Sequence, residues 1–214
     1  MKKLKQWDTI RVIAPSRSMA VISNDIICEA KKTLVNTLWL NVTFAKNVMS
    51  NYYNNSWSIK DRVEDIHEAF LDPNIKWILT VLWGYSSNNL LDYLDYDLIK
   101  DNPKIICWYS DITALSNAIR KKTWLVTYSG PHFSTFAMKK GNEYTIDHFK
   151  KALFQEEEYE LKASEFRSND ERYIDQEKRN FNKNNGLVCI QQWTAEGVLI
   201  GWNLNTLNLL QWTN

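Results

Sequence analysis

The sequence predicts an α/β protein: a doubly wound parallel sheet in the N-terminal domain, followed by the beginning of a smaller second α/β domain. Two observations carry this. Short apolar runs such as Ile105-Ile-Cys-Trp108 have the length of buried strands, and they alternate with longer segments in which apolar residues recur every three or four positions. Strands separated by helices of that length can pair in parallel through right-handed crossovers. Ligands to such sheets gather beyond the carboxyl ends of the strands, here the loops Ala14-Pro15-Ser16, Trp83 to Asn88, Ser110 and Gly130 to His132.

The elements follow in order. Residues 9–15 read as a first strand, about 22–38 as a helix, and 40–48 as a second strand. Residues 58–71 form a strong helix with Ile59, Val63, Ile66 and Phe70 on one face, stopped by Asp72-Pro73-Asn74. A third strand at 75–82 leads into a turn and a helix through Leu90, Leu91 and Leu94. Strand 105–108 opens into a helix carrying Ile112, Leu115 and Ile119, and 125–128 is the next strand. A helix at 145–154 completes a domain assigned to residues 1–154. Residues 155–185 are charged, with Glu156, Glu157 and Glu158 at their head, and read as a solvated interdomain connection with short extended pieces. Residues 186–214 are assigned to an incomplete C-terminal domain, with strands at 187–191 and 197–200 and a helix from 205 to 211.

Bulk properties narrow the function. The 214 residues can bury a sizeable core. The net charge of +1, with no basic stripe, argues against a nucleic acid polymer as partner. No apolar run approaches the roughly 18 residues a membrane span needs, and no apolar stretch follows the basic N-terminus, so a cytoplasmic protein is expected. Cys28, Cys107 and Cys189 are odd in number and far apart, which predicts buried free thiols in a reducing compartment. No metal-ligand spacing occurs, and neither metal nor cofactor is expected.

Ser110 falls on the turn between strand 105–108 and the helix that Asp111 opens. A serine held there has its hydroxyl lifted above the sheet, near the positive end of the helix dipole and beside free backbone N–H groups. Residue types at this point leave two readings open: Ser110 as a nucleophile, or Ser110 or Asp111 as a helix cap.

Three stretches taken together, Trp83-Gly84-Tyr-Ser86-Ser87-Asn88, Trp108-Tyr-Ser110-Asp111-Ile-Thr113 and Trp124-Leu-Val-Thr-Tyr-Ser-Gly130-Pro131-His132, resemble the serine LD-carboxypeptidase family. That family includes muramoyl-tetrapeptide carboxypeptidases and microcin C immunity peptidases. The resemblance extends from Asp8-Thr-Ile-Arg-Val-Ile-Ala-Pro-Ser16 to Gly201-Trp-Asn203-Leu. It implies Ser110 as the nucleophile, with oxyanion donors in the backbone N–H groups of Asp111 and of the Trp83-Gly84 turn. It also implies a substrate cleft lined by Ser86, Ser87, Asn88 and His132, with Ser16 a further candidate. The implied substrate is a peptide or muropeptide, whose terminal D-alanine is released across an LD bond, or an amide in a microcin-like peptide-nucleotide; the implied assembly is a homodimer. The family's Glu and His partners lie downstream of the segment matching Gly201-Trp-Asn203, past Asn214. The chain alone is therefore expected to be incomplete for catalysis, and the alternative is a non-catalytic peptide-binding domain. His67 and His148 read as surface residues of amphipathic helices.

Tryptophan stands where the family has glycine, at Trp7, Trp83, Trp108, Trp124 and Trp202, and Trp39 and Trp212 also sit where glycine is expected. Composition agrees: the chain has 10 Trp and 6 Gly, against the roughly 15 glycines an average chain of this length carries. Trp39 follows a helical run at the point where a left-handed residue is wanted, a conformation glycine adopts freely. The expectation is that many of these tryptophans are glycine codons, UGA, in the natural gene.

Overall fold

The computed structural model describes residues 2–51, 58–171 and 175–212, with the backbone alone at Trp212. The chain divides into two compact units: residues up to Ala137 together with those from Gly201, and Met138–Ile200.

The first unit is built on five parallel strands in the order β2-β1-β3-β4-β5, with β1 Thr9–Ile13, β2 Asn41–Phe44, β3 Ile75–Thr80, β4 Ile105–Trp108 and β5 Tyr128–Ser129. This is a doubly wound α/β sheet, the class the alternation predicts. The register is continuous across its middle, Val12 opposite Leu79 and Leu79 opposite Cys107. The connecting helices are α1 Asn24–Asn36, α2 Ile59–Leu71, α3 Tyr96–Asp101 and α4 Thr113–Thr123. Because both faces are covered, the central strands are apolar on both sides, and Ile10, Val12, Ile13, Ile78, Leu79 and Ile106 are all buried. Each helix contributes a narrow apolar stripe: Ala30 and Leu34 from α1, Ile66 and Phe70 from α2, Leu115 and Ile119 from α4. A fully buried side chain of this kind contributes about 1.5–3 kcal/mol. Ser23, Ser58 and Asp95 cap α1, α2 and α3 by accepting N–H bonds from Ile26, Asp61 and Leu98.

One strand is displaced from its expected place. The apolar pattern predicts a strand over residues 125–128, but β5 begins at Tyr128 and pairs only Cys107 with Tyr128 and Trp108 with Ser129. The exit from α4 consumes the intervening residues: Trp124 is left-handed, its N–H donates to the Arg120 carbonyl, and the Leu125 N–H donates to Thr123 Oγ1.

In the second unit, α5 spans Glu143–Phe154 and buries Phe149 and Leu153. The charged run beyond it holds one antiparallel pair, β6 Phe166–Arg167 with β7 Asn182–Lys183; its residues 172–174 lie outside the described ones. The strands expected at 187–191 and 197–200 do not form. Leu187, Val188 and Ile190 are exposed and have no strand beside them among the described residues, and an apolar run makes a strand only where a neighbour covers it. The last helix, α6 Leu204–Leu209, belongs to the first unit.

The cysteines correct another expectation. Cys107 is buried in β4, whereas Cys28 and Cys189 are exposed. Cys28 falls off the stripe that α1 buries, and Cys189 lies in the run that forms no strand. Among the described residues, no helix is long and apolar enough to cross a membrane.

Candidate active site

The strand order reverses between β1 and β3, and the candidate site lies at the carboxyl ends of β3 and its neighbour β4. A cavity of about 230 Å³ opens there. Gly84, Tyr85, Ser87 and Asn88 from the turn after β3 line it, with Ser110 and Asp111 from the exit of β4, and Asn203, Asn205, Thr206 and Leu209 around α6.

Ser110 is the residue that turns the chain. Its φ is +64°, left-handed for a non-glycine residue, a conformation kept only where the surroundings enforce it. One tight turn, Ser110–Ile112, then leads into α4. Neither candidate residue caps a helix: the N-cap positions are Tyr109 and Ile112, and neither start has a side-chain cap. No hydrogen bond holds the Ser110 hydroxyl among the described residues. The Asp111 N–H lies in the first turn, where helical geometry provides no internal acceptor.

The Asp111 carboxylate instead organises the loops around Ser110. The side chain is buried, and its Oδ2 accepts from Ser16 Oγ at 2.8 Å and from the Ser87 N–H at 3.2 Å, while Oδ1 accepts from the Gly84 N–H at 2.9 Å. The Ser87 hydroxyl donates to the Asp111 carbonyl at 2.7 Å. One carboxylate thus ties the loop after β1 and the turn after β3 to the strand exit that carries Ser110. Gly84 is required at its position because a Cβ there would overlap Ser16 Oγ.

Arg62 of α2 braces the same loops from below. It is 4% exposed, and its Nη1 donates to the Pro15 carbonyl at 3.0 Å, to Ser86 Oγ at 3.1 Å and to the Ser86 carbonyl at 3.3 Å. Burial pulls the guanidinium pKa below its ordinary value, and the charge of Asp111 opposes that pull.

The residues singled out from sequence therefore occupy different layers. Ser110, Asp111, Gly84, Ser87 and Asn88 share the cavity. Trp83 is exposed and outside the cavity lining, with the Arg17 guanidinium 5.5 Å over its ring. Ser16 and Ser86 lie behind the wall as hydrogen-bonding partners of Asp111 and Arg62. His132 is only 2% exposed and is absent from the cavity lining. Its ring stacks on Tyr109 at 5.2 Å, and its Nδ1 lies 3.1 Å from Ser134 Oγ. His67, expected at the surface, is half-buried; its Nε2 accepts the Asp95 N–H at 2.9 Å, and burial lowers its pKa, which favours the neutral acceptor form. None of the three histidines hydrogen-bonds Ser110. Sequence reading missed Arg62, Tyr85, Asn205 and Thr206, and the only available signal was the charge of Arg62 on the apolar face of α2.

An open parallel sheet with a left-handed serine on the tight turn from strand to helix and a cavity beside it defines a doubly wound α/β protein. Residues 10–130 match the LD-carboxypeptidase N-terminal domain family, and the chain belongs to that family. It is 53% identical over 211 residues to YocD of Bacillus subtilis (strain 168), a carboxypeptidase by name, covering 99% of this chain and 65% of YocD. The crystal structure of an MccF-like protein from Bacillus anthracis str. Ames superposes with a TM-score of 0.97 at 54% identity, over 99% of this chain and 64% of that one. The microcin C7 self-immunity protein MccF in complex with aspartyl sulfamoyl adenosine gives a TM-score of 0.85 at 31% identity, with 99% and 64% covered. The chain thus spans about two-thirds of the length of each.

Proposed function

We propose that this chain carries the nucleophile of a serine hydrolase that cleaves an amide bond beside a terminal residue, with Ser110 Oγ as the attacking atom. The observation that carries this reading is the left-handed Ser110 on the cavity wall, its hydroxyl unengaged and capping no helix. Attack on the amide carbonyl carbon would give a tetrahedral oxyanion received by the Asp111 N–H, at the positive end of α4; its collapse would break the C–N bond, the amine leaving with the proton taken from Ser110, and water would then cleave the ester left on Ser110. The Gly84 N–H is given to the Asp111 carboxylate, so in this reading Gly84 shapes the site and does not hold the oxyanion. Tyr85 and Asn88 at the cavity wall contact substrate, and His132 supports the turn through Tyr109. The base and its acidic partner are assigned downstream of the Gly201-Trp-Asn203 segment, in keeping with the greater length of the relatives.

Two substrates suit this site: an LD peptide bond releasing terminal D-alanine from a cell-wall tetrapeptide, supported by the family, and the amide of a microcin-like peptide-nucleotide, supported by the resemblance to MccF. The reading includes a cytoplasmic homodimer. The test is hydrolysis of both substrates by the complete gene product, with Ser110→Ala as control. Release of D-alanine or of the amino acid, reduced at least about a thousandfold by the substitution, is expected. Binding of either compound without turnover would favour the binding-domain reading, and turnover undiminished in Ser110→Ala would refute the nucleophile.

A further inference from the structure

We propose that Trp7, Trp39, Trp124 and Trp202 occupy positions that the natural protein fills with glycine, encoded by UGA that the source organism reads as glycine. Among the described residues, five non-glycine residues have positive φ: these four tryptophans, at +67°, +51°, +65° and +91°, and Ser110. Only glycine enters the left-handed region without steric cost, and among the other residues Asn and Asp enter it most readily. The chain is rich in Asn and Asp, yet none of the described ones adopts it. Among the described non-glycine residues, left-handed backbone is thus concentrated at tryptophan, one of the residues least suited to it.

Each of the four does what a turn glycine does. Trp124 ends α4 in a left-handed C-cap, with φ +65° and ψ +7° and its N–H on the Arg120 carbonyl. Trp39 follows α1, where the Leu40 N–H folds back onto the Leu34 carbonyl. Trp7 precedes β1 and pairs its N–H with the Trp39 carbonyl, so two of the four sites meet. Trp202 follows Gly201, itself at φ +134°, and this double left-handed turn delivers Asn203, whose N–H donates to Thr113 Oγ1 and whose side chain caps α6 on the cavity wall. The backbone at 201–202 is therefore a glycine pair that shapes the candidate site.

The side chains agree. The four indoles are 46 to 74% exposed and add nothing to the core. Trp77 is the contrast: it lies within β3, fully buried, its ring edge-to-face with Phe136 at 6.4 Å, and φ there is ordinary. The backbone asks for glycine at the four turns and makes no such demand at 77. Trp83 and Trp108 have ordinary φ, so backbone geometry alone makes no demand for glycine at those two.

Peptide mass mapping of the protein isolated from its source organism tests this directly. Glycine is expected at 7, 39, 124 and 202; tryptophan at 39 and 124 would overturn the proposal. A recombinant series gives a second reading: Trp39→Gly and Trp124→Gly should each raise the melting temperature of the chain as written, while Trp77→Gly lowers it. A lowered melting temperature in both turn variants would contradict the assignment independently.

Discussion

Replacing Asp111 with asparagine probes the geometry on which the candidate site depends. The carboxylate takes three donors, the Gly84 and Ser87 N–H groups and the Ser16 hydroxyl, in a buried position. An amide oxygen can keep two of them, but the amide NH₂ must then face the third. One orphaned buried donor costs about 1–3 kcal/mol, and the two surviving bonds lose their charge assistance, about 0.5–1 kcal/mol each. The buried Arg62 also loses its opposing charge. The sum, about 2–5 kcal/mol, is a large part of the 5–15 kcal/mol that holds a typical domain together. Urea unfolding followed by circular dichroism should show a lower midpoint with an unchanged slope. A loss under about 0.5 kcal/mol would refute the claim that this carboxylate ties the three loops together.

Other perturbations probe the same account at separate points. Gly84→Ala should destabilise by about 1–3 kcal/mol, since its Cβ would overlap the buried, hydrogen-bonded Ser16; wild-type stability in calorimetry would show that the turn yields freely. Ser110→Gly should remove activity while raising stability by about 0.5–1 kcal/mol, because glycine relieves a φ of +64°; unfolding at the wild-type midpoint would argue that no strain resides there. Burial raises the Asp65 pKa to about 6, above its ordinary 3.8, although Asn47 donates two hydrogen bonds to it. A folded-state pKa above the unfolded one makes the protonated form the stabilising one, so this contribution is present below about 4 and lost as pH rises through 6. Asp65→Asn keeps the acceptor and removes the charge. It should stabilise the protein at pH 7 by at most about 3 kcal/mol, less where water screens the site, and flatten the stability profile between pH 4 and 6.

Much of the fold could be read directly from residue patterns, for physical reasons. Apolar runs at 77–79 and 105–108 are continuous because helices cover both faces of the central strands, and the α2 stripe from Val63 to Phe70 repeats at helical spacing. Where tertiary partners decide, pattern misled. Residues 187–191 have strand composition and no neighbouring strand among the described residues, and 125–127 are consumed by the exit of α4. At the site, local context could place Ser110 at a strand exit, but not decide between cap and nucleophile. The absence of a cap follows from where the Asp111 side chain goes, which contacts 24 to 95 residues away determine. Arg62 was invisible for the same reason, since its partners Pro15 and Ser86 come from other loops. Composition and motif positions pointed to tryptophans in place of glycine, and the helix end before Trp39 marked one left-handed site; the left-handed backbone at Trp7, Trp124 and Trp202 came from the structure.

The nucleophile is tested most directly by covalent trapping. The complete gene product, treated with a fluorophosphonate and mapped by peptide mass spectrometry, should carry one adduct on Ser110, and Ser110→Ala should carry none. An adduct on another serine, or equal labelling of the Ser110→Ala protein, would contradict the account.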